Sequence, residues 1–551
     1  MNLRPYQREA LDAIHEQLET KNSTLAVLPT GTGKTIIFGQ LIHERLSLIP
    51  RGRAMVLTHR KELIRQAGQQ IERLTGLRCD VEMADERAGD GTWQGGAPIV
   101  VATVQTLASA RRLTKFNPQR FSTLVCDEAH HYTAPMFRTP IDHFRRNPDL
   151  KVLGVSATPD RADEESLGQI FETVAYDYQL WDAIMDGWLV PLKHWAKRLV
   201  GLDLSKVHTR GGELDKGELA RELAANENLE AIAAATVESA GTRRTLLFSD
   251  SVDNAERLTA ILNGHRRGEA RLLVGCTPDD ERDEVVADYR AGRFQYLVNV
   301  GVCTEGFDVP EIACVSLARP TKSRSLAAQM IGRGTRPAES IADTINDLPN
   351  DMARRAAIAA GDKPDLLVID FVDNTYRHDL MHPADVLGGR ISDRAVELAN
   401  RQAREERPID VIEELERAEA TIRRNDELIR AERDRKGVRA VIADSSDPFS
   451  IYGLSRRARR GWEKDLPMRN DQYQKLKRWR IKKFETLGYG DAEQIIEEVR
   501  SRARRGLLTL NQEIVLKRFG YNCKDVSFEV ARQRLDALAV NGWKRPQKAL
   551  T

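Results

Sequence analysis

The sequence predicts an α/β protein made of two successive parallel-sheet lobes, followed by a charged helical arm and a small basic helical domain. Three observations carry that expectation. Short apolar runs recur in two series, residues 24–28, 54–58, 99–103, 124–126 and 152–155, then 245–248, 295–300, 315–317 and 366–371. Unbroken apolarity of that length marks parallel strands buried on both faces. Residues 391–440 then lose almost all glycine, and acids and bases alternate at helical spacing. Finally, residues 451–551 carry 24 Lys and Arg against 12 Asp and Glu, net +12, while the rest carries 60 against 70, net −10. A basic tail on an acidic body is the pattern of a polyanion-binding appendage, or of a solvated helical surface.

At 551 residues the chain is too long for one core, and about three or four domains are expected. Hydrophobic content of 41% with 30% charged residues excludes a disordered chain. No apolar run reaches membrane-spanning length, and the opening residues read as fold-like sequence, so neither a membrane anchor nor a signal peptide is expected. The six cysteines include no Cys-x-x-Cys pair, which argues against a zinc module and a disulfide framework and fits a cytoplasmic protein.

The first run ends in Pro29, Thr30, Gly31, Thr32, Gly33, Lys34 and Thr35, and a helical pattern follows. Glycines let backbone N–H groups point at phosphate oxygens, and the helix N-terminus adds a positive dipole end. Lys34 would reach the β/γ-phosphates and Thr35 would ligate Mg²⁺. The usual opening glycine of such a loop is replaced by Leu28. Upstream, the Gln7 amide could both donate to and accept from one edge of adenine, or merely cap a helix. The second and third runs end at Thr58 and Thr103, which places His59, Arg60, Thr103 and Gln105 at the carboxyl edge of a sheet, where they suit phosphodiester contacts. The fourth run leads into Asp127, Glu128, Ala129 and His130. Adjacent acids ending a buried strand need a positive partner, and Mg²⁺ on Asp127 with Glu128 polarising a water supplies the reason. The fifth leads into Ser156, Ala157, Thr158 and Pro159.

These segments, in this order, resemble motifs I, II and III of superfamily 2 helicases of the Asp-Glu-Ala-His type, and residues 4–7 resemble their adenine-reading motif. The second series is similar to the same family's motifs IV, V and VI, with Cys303 to Pro310 and then Gln329, Gly332, Arg333 and Arg336. Arg333 and Arg336 lie three apart, on one face if helical, where two guanidiniums can meet one triphosphate across a cleft. The resemblance covers residues 1–380 and looks most like RadD-type DNA helicases and restriction-enzyme translocase subunits. It implies two RecA-like lobes, residues 1–190 and 191–385. It also implies ATP and Mg²⁺ as substrate and cofactor, Gln329 in catalysis, and Gly306 and Asp308 at the nucleotide. His130, Ser156 and Thr158 would couple the sites, and Thr304 would lie near nucleic acid. RadD-type proteins carry a cysteine-rich zinc element after the motor that this sequence lacks, so no zinc is expected.

The arm, residues 386–445, reads as exposed helix with pairs such as Glu413 and Arg417, either a spacer or a site for a protein partner. The basic domain, residues 446–551, contains a diverged repeat. Residues 470–479 match 510–519 at an offset of 40, and the amphipathic stretches beginning at Ala492 and Ala531 are offset by 39. Each copy predicts a helical hairpin burying its apolar face against its twin. Trp479 and Phe519 fit core packing, or stacking on bases beside Lys477, Arg478, Lys517 and Arg518. This segment resembles the C-terminal parts of phage and prophage helicases. The function expected is an ATP-dependent helicase or translocase on nucleic acid, DNA favoured over RNA, in repair, recombination or replication. Alternatives are a duplex translocase working with a nuclease partner, an RNA helicase, and an ATP-gated binding switch.

Overall fold

The computed structural model describes residues 3–49, 51–59, 61–83, 86, 88–89, 96–157, 167–199, 201–265, 268–304, 307–372, 380–388, 391–402, 407–435, 448–454, 456, 466–523, 526–540 and 543. The chain divides into two compact units, Met1–Ile422 and Arg423–Thr551.

The first unit holds both lobes. Lobe one is a seven-stranded sheet of β1 (Ser23–Val27), β2 (Arg53–Thr58), β3 (Cys79–Glu82), β4 (Ile99–Thr103), β5 (Phe121–Cys126), β6 (Lys151–Ser156) and β7 (Thr173–Asp177), in the order β3-β4-β2-β5-β6-β1-β7. Every pairing is parallel. Because β6 lies between β1 and β5, the phosphate loop after β1, the acid pair after β5 and Ser156 at the end of β6 emerge side by side. Sheet order, not sequence distance, therefore assembles this half of the site. Lobe two contains β8 (Leu192–Arg198), the two-residue hairpin strands β9 (Thr209–Arg210) and β10 (Glu213–Leu214), β11 (Thr245–Ser249), β12 (Ala270–Leu273), β13 (Tyr296–Asn299), β14 (Cys314–Ala318), β15 (Leu366–Val372) and β16 (Ile409–Asp410). Its main sheet runs β12-β13-β11-β14-β15-β8-β16, parallel except for β16. One apolar cluster includes Leu28, Phe38 and Leu189 of lobe one and Met330 and Val368 of lobe two, so the lobes share a core.

The arm differs from the expectation at its root. Val411, Leu415 and Ala418 at the start of the helix Val411–Arg435 are buried in the core of the first unit, and β16 pairs with β8. Apolar residues at positions 411, 415 and 418 form a stripe that alternating charges had obscured. Glu413 and Arg417 pair on the exposed side at 3.0 Å.

In the second unit the helix Asn470–Arg478 packs on Tyr489–Arg504, and Leu510–Arg518 packs on Phe528–Val540. Isolated antiparallel bridges join Pro467 to Gly488 and Leu507 to Ser527, reproducing the 40- and 39-residue offsets. The first hairpin's core around Leu476 takes in Leu510 and Ile514 of its twin, as expected, while a smaller cluster around Leu516 lies within the second hairpin. Trp479 and Phe519 are half-buried against these clusters, while Lys477, Arg478, Lys517 and Arg518 are exposed. Among the described residues no helix is long and apolar enough to cross a membrane.

Candidate nucleotide site

The phosphate loop turns on two residues that only glycine accommodates readily, Gly31 at φ 87° and Gly33 at φ 80°. The helix Lys34–Leu48 begins with no side chain capping it, so its first N–H groups are left for an anion. Leu28, where a glycine is usual, is fully buried and its N–H bonds Ser156 O at 2.9 Å, so the pairing with β6 continues one residue past β1. Tyr6 and Gln7 hold the loop from behind. Tyr6 OH and Gln7 Nε2 both donate to Thr32 O, at 2.7 and 3.0 Å. Gln7 Oε1 also accepts the Arg4 N–H at 3.0 Å. The amide thus caps the first helix and braces the loop, leaving one N–H and one lone pair for a base. Tyr6 stacks on Tyr178 at 4.8 Å, and Trp188 lies between the guanidiniums of Arg4 and Arg354, at 4.8 and 4.2 Å.

Lys34 Nζ sits 2.8 Å from Glu128 Oε1, with both side chains nearly buried. Glu128 adopts φ 47°, a left-handed conformation costly for a non-glycine residue, and its N–H bonds Asp127 Oδ1 at 3.0 Å. His130 Nδ1 lies 3.1 Å from Ser156 Oγ and 3.7 Å from Glu128 Oε2, so two of the expected coupling residues join Glu128. Sequence reading missed His131. Its ring centre lies 4.1 Å from those of both His59 and His130, tilted 50° and 45° to them, so three imidazoles form a relay from the sheet edge towards Glu128.

Lobe two closes the cleft, and here the structure corrects the arginine pair. The helix Arg324–Gly332 ends before both arginines, with Arg333 as its C-cap, so Arg333 and Arg336 share no helical face. Arg333 turns into its own lobe, donating to Thr304 O at 3.1 Å and Phe307 O at 3.0 Å. Arg336 lies across the phosphate loop: a methyl group at Gly31 would stand 2.9 Å from Arg336 Cγ, and one at Gly332 would stand 2.8 Å from Thr30 Cβ. Asp308 pairs with the Arg336 guanidinium. Thr30 Oγ1, at this contact, and Gln329 Nε2, on the helix that ends at Gly332, are buried without a hydrogen-bond partner. Uncapped loop N–H groups, a lysine, two flanking acids and these two orphaned atoms fit a triphosphate with Mg²⁺, which Thr35 and Asp127 would hold.

Lys363 was also missed, since a lysine between Asp362 and Pro364 looks like an ordinary turn. It is buried and donates to Pro310 O and Arg336 O, both at 2.6 Å, tying the two lobe-two loops together. Burial lowers its pKa to about 7, so the neutral amine, with two N–H donors, suits two carbonyls. The unfolded chain keeps the proton up to the ordinary 10.5, so stability rises with pH from about 7 towards 10.5. Below pH 7 both states carry the proton and the whole penalty of burying the charge remains. Wild type is expected to gain stability over Lys363→Met by up to ~1.4 kcal/mol per pH unit above neutrality, measured by denaturant unfolding. A pH-independent difference would show that Lys363 keeps its ordinary pKa.

The polymer-facing expectations divide. Gln105 is exposed at the sheet edge and donates to His59 O at 2.8 Å. Thr103 is only 1% exposed, and its hydroxyl bonds Thr106 Oγ1 at 2.7 Å, so it caps the helix Val104–Leu107 and does not face a polymer. Thr304 is likewise buried, its hydroxyl donating to Gly301 O at 3.1 Å. Arg60, Thr158 and Gly306 lie outside the described residues.

A parallel-sheet lobe bearing a phosphate loop and an acid pair, closed by a second lobe bearing arginines, defines the two-lobed RecA-like class. Residues 1–161 match the family "Type III restriction enzyme, res subunit", and residues 226–338 match "Helicase conserved C-terminal domain". Over both lobes the chain is thus similar to helicases, including restriction-enzyme subunits. It is 33% identical over 414 residues to irc3 of Schizosaccharomyces pombe, covering 73% of this chain and 62% of that protein. It is 31% identical over 351 residues to IRC3 of Saccharomyces cerevisiae, covering 61% and 49%. Both relatives bear the names of ATP-dependent helicases. The chain thus spans about half to three fifths of the length of these relatives. A fragment of a type I restriction enzyme HsdR subunit from Vibrio vulnificus is 19% identical, covering 66% of this chain and 63% of that one at a TM-score of 0.48.

Proposed function

We propose that the chain is an ATP-driven motor on nucleic acid, DNA rather than RNA, in which lobe closure completes the hydrolytic site. The observation that carries this is Arg336 of lobe two resting on Gly31 of the phosphate loop. Lys34 exchanges Glu128 for the triphosphate, and Glu128 takes the proton of the attacking water. Arg336 stabilises charge on the transferred phosphoryl group. Mg²⁺, held by Thr35 and Asp127, supplies further charge neutralisation when bound. Gln105 and the histidine relay link a polymer at the sheet edge to Glu128. The test is hydrolysis rate against single-stranded, duplex, forked and branched DNA and against RNA. Stimulation by DNA over RNA is expected, and equal rates with and without polymer would overturn the reading.

The match of residues 1–161 to a restriction subunit favours a second reading, a duplex translocase acting with a nuclease in trans. Triplex displacement without strand displacement would select it. For the basic domain, Lys477, Arg478, Lys517 and Arg518 present four exposed cations at repeat-equivalent positions. Replacing all four by Gln is expected to flatten the log-log salt dependence of duplex binding by up to ~3.6, at about 0.9 per phosphate contact. An unchanged slope would assign the tail to structure or a protein partner.

A further inference from the structure

Away from the cleft, three segments of lobe two converge on one polar point within the sheet. His194 on β8 lies opposite Val368 on β15, so Asp370, two residues further along β15, projects on the same face as His194. His194 Nε2 stands 3.6 Å from Asp370 Oδ2, and His382 Nδ1 hydrogen-bonds the same oxygen. The His194 and His382 rings lie 6.1 Å apart. His382 immediately precedes the helix Pro383–Leu387, and Asp385 Oδ2 fixes its backbone by accepting its N–H at 2.8 Å. His194 is 3% exposed and Asp370 4%, and His194 Nε2 has no hydrogen-bond partner. A buried imidazole nitrogen aimed at a carboxylate oxygen and left unsatisfied is costly unless something binds there.

We propose that His194 Nε2, Asp370 Oδ2 and His382 Nδ1 bind a divalent transition-metal ion, Zn²⁺ by ligand chemistry, joining β8, β15 and the segment that follows β15. The three ligand atoms all lie within 4.8 Å of one another. Metal–ligand bonds of about 2.0–2.2 Å place neighbouring ligand atoms roughly 3.3 Å apart in a tetrahedral site, close to the present His194–Asp370 separation. His382 Nδ1 loses the proton it shares with Asp370 to solvent as the ion enters, and the two atoms move apart. Two imidazoles and one carboxylate leave a fourth position for water, and the nitrogen donors exclude Mg²⁺ and Ca²⁺ as the natural occupant. β16 pairs with β8 at Ile409 opposite His194, so the ion would also stiffen the root of the charged arm. This site is independent of the nucleotide cleft and of the motor reading.

The test uses the full chain, stripped with chelator and titrated with Co²⁺ in excess Mg²⁺. Wild type is expected to take up a single equivalent with the visible ligand-field bands of a four-coordinate nitrogen–oxygen site, without a thiolate charge-transfer band, and to release it to Zn²⁺. His194→Gln and His382→Gln should each weaken Zn²⁺ binding by more than the ~100-fold that loss of an outer-shell partner costs. Both should also remove the Zn²⁺-dependent rise in Tm that mass action gives wild type. Absence of stoichiometric uptake by wild type, a thiolate band from the cysteines, or wild-type affinity in both variants would overturn the proposal. The wild-type titration decides it even where a variant does not fold.

Discussion

Glu128→Gln is expected to lower ATP turnover by about 10²–10⁴-fold, the usual contribution of a positioned general base. ATP should bind at least as tightly as before. Lys34 is paired with Glu128 at 2.8 Å, and that pair must open before Lys34 can reach a phosphate. A neutral glutamine weakens the competing partner, so ATP affinity should rise by at least about fivefold, since ~1 kcal/mol is the upper end for exposed pairs and this pair is nearly buried. Lys34→Ala should act oppositely, losing affinity and turnover together. Single-turnover hydrolysis beside equilibrium binding of a fluorescent ATP analogue separates the effects. Turnover at the wild-type rate in Glu128→Gln would remove Glu128 as the base.

Arg336→Ala is expected to reduce kcat by about 10³–10⁵-fold with a much smaller change in ATP affinity, as for loss of an arginine finger. Its side chain already crosses the loop at Gly31, and Asp308 and the Lys363–carbonyl bond fix its position. Arg336→Lys should not rescue, because an ammonium cannot reproduce the planar two-donor geometry. Arg333→Ala should have the smaller effect, acting by loosening the loop whose Thr304 and Phe307 carbonyls it holds. Measuring kcat and ATP affinity for the three variants decides the matter. If Arg333→Ala is the more damaging, the two arginines exchange roles on closure.

Legibility in the sequence followed burial. Strands β2, β4 and β5 lie inside the first sheet, are wholly buried and read directly as apolar runs. Of the strands missed, β3, β7, β8 and β12 lie at or next to sheet edges and are only partly buried, so no continuous run announces them, and β9, β10 and β16 are two residues each. Phosphate chemistry was legible because it is local: Gly31, Gly33, Lys34, Asp127 and Glu128 act through turns and strand ends a few residues long. The tandem repeat was legible for the same reason, since capping residues Gln472 and Gln512 and core residues Leu476 and Leu516 recur at a set spacing.

By itself, then, the sequence determined that this chain has two parallel-sheet lobes, a glycine-turned loop leading into a helix, and a basic repeated tail. Only the tertiary structure decided which arginine meets the loop, that Lys363 rather than the helix orders its approach, that Thr103 and Thr304 are buried, and that His194, Asp370 and His382 meet. The physical reason is that strand periodicity and turn chemistry are short-range properties of neighbouring residues. Which strand ends lie side by side, by contrast, follows from sheet order, and sheet order is set by packing between segments hundreds of residues apart.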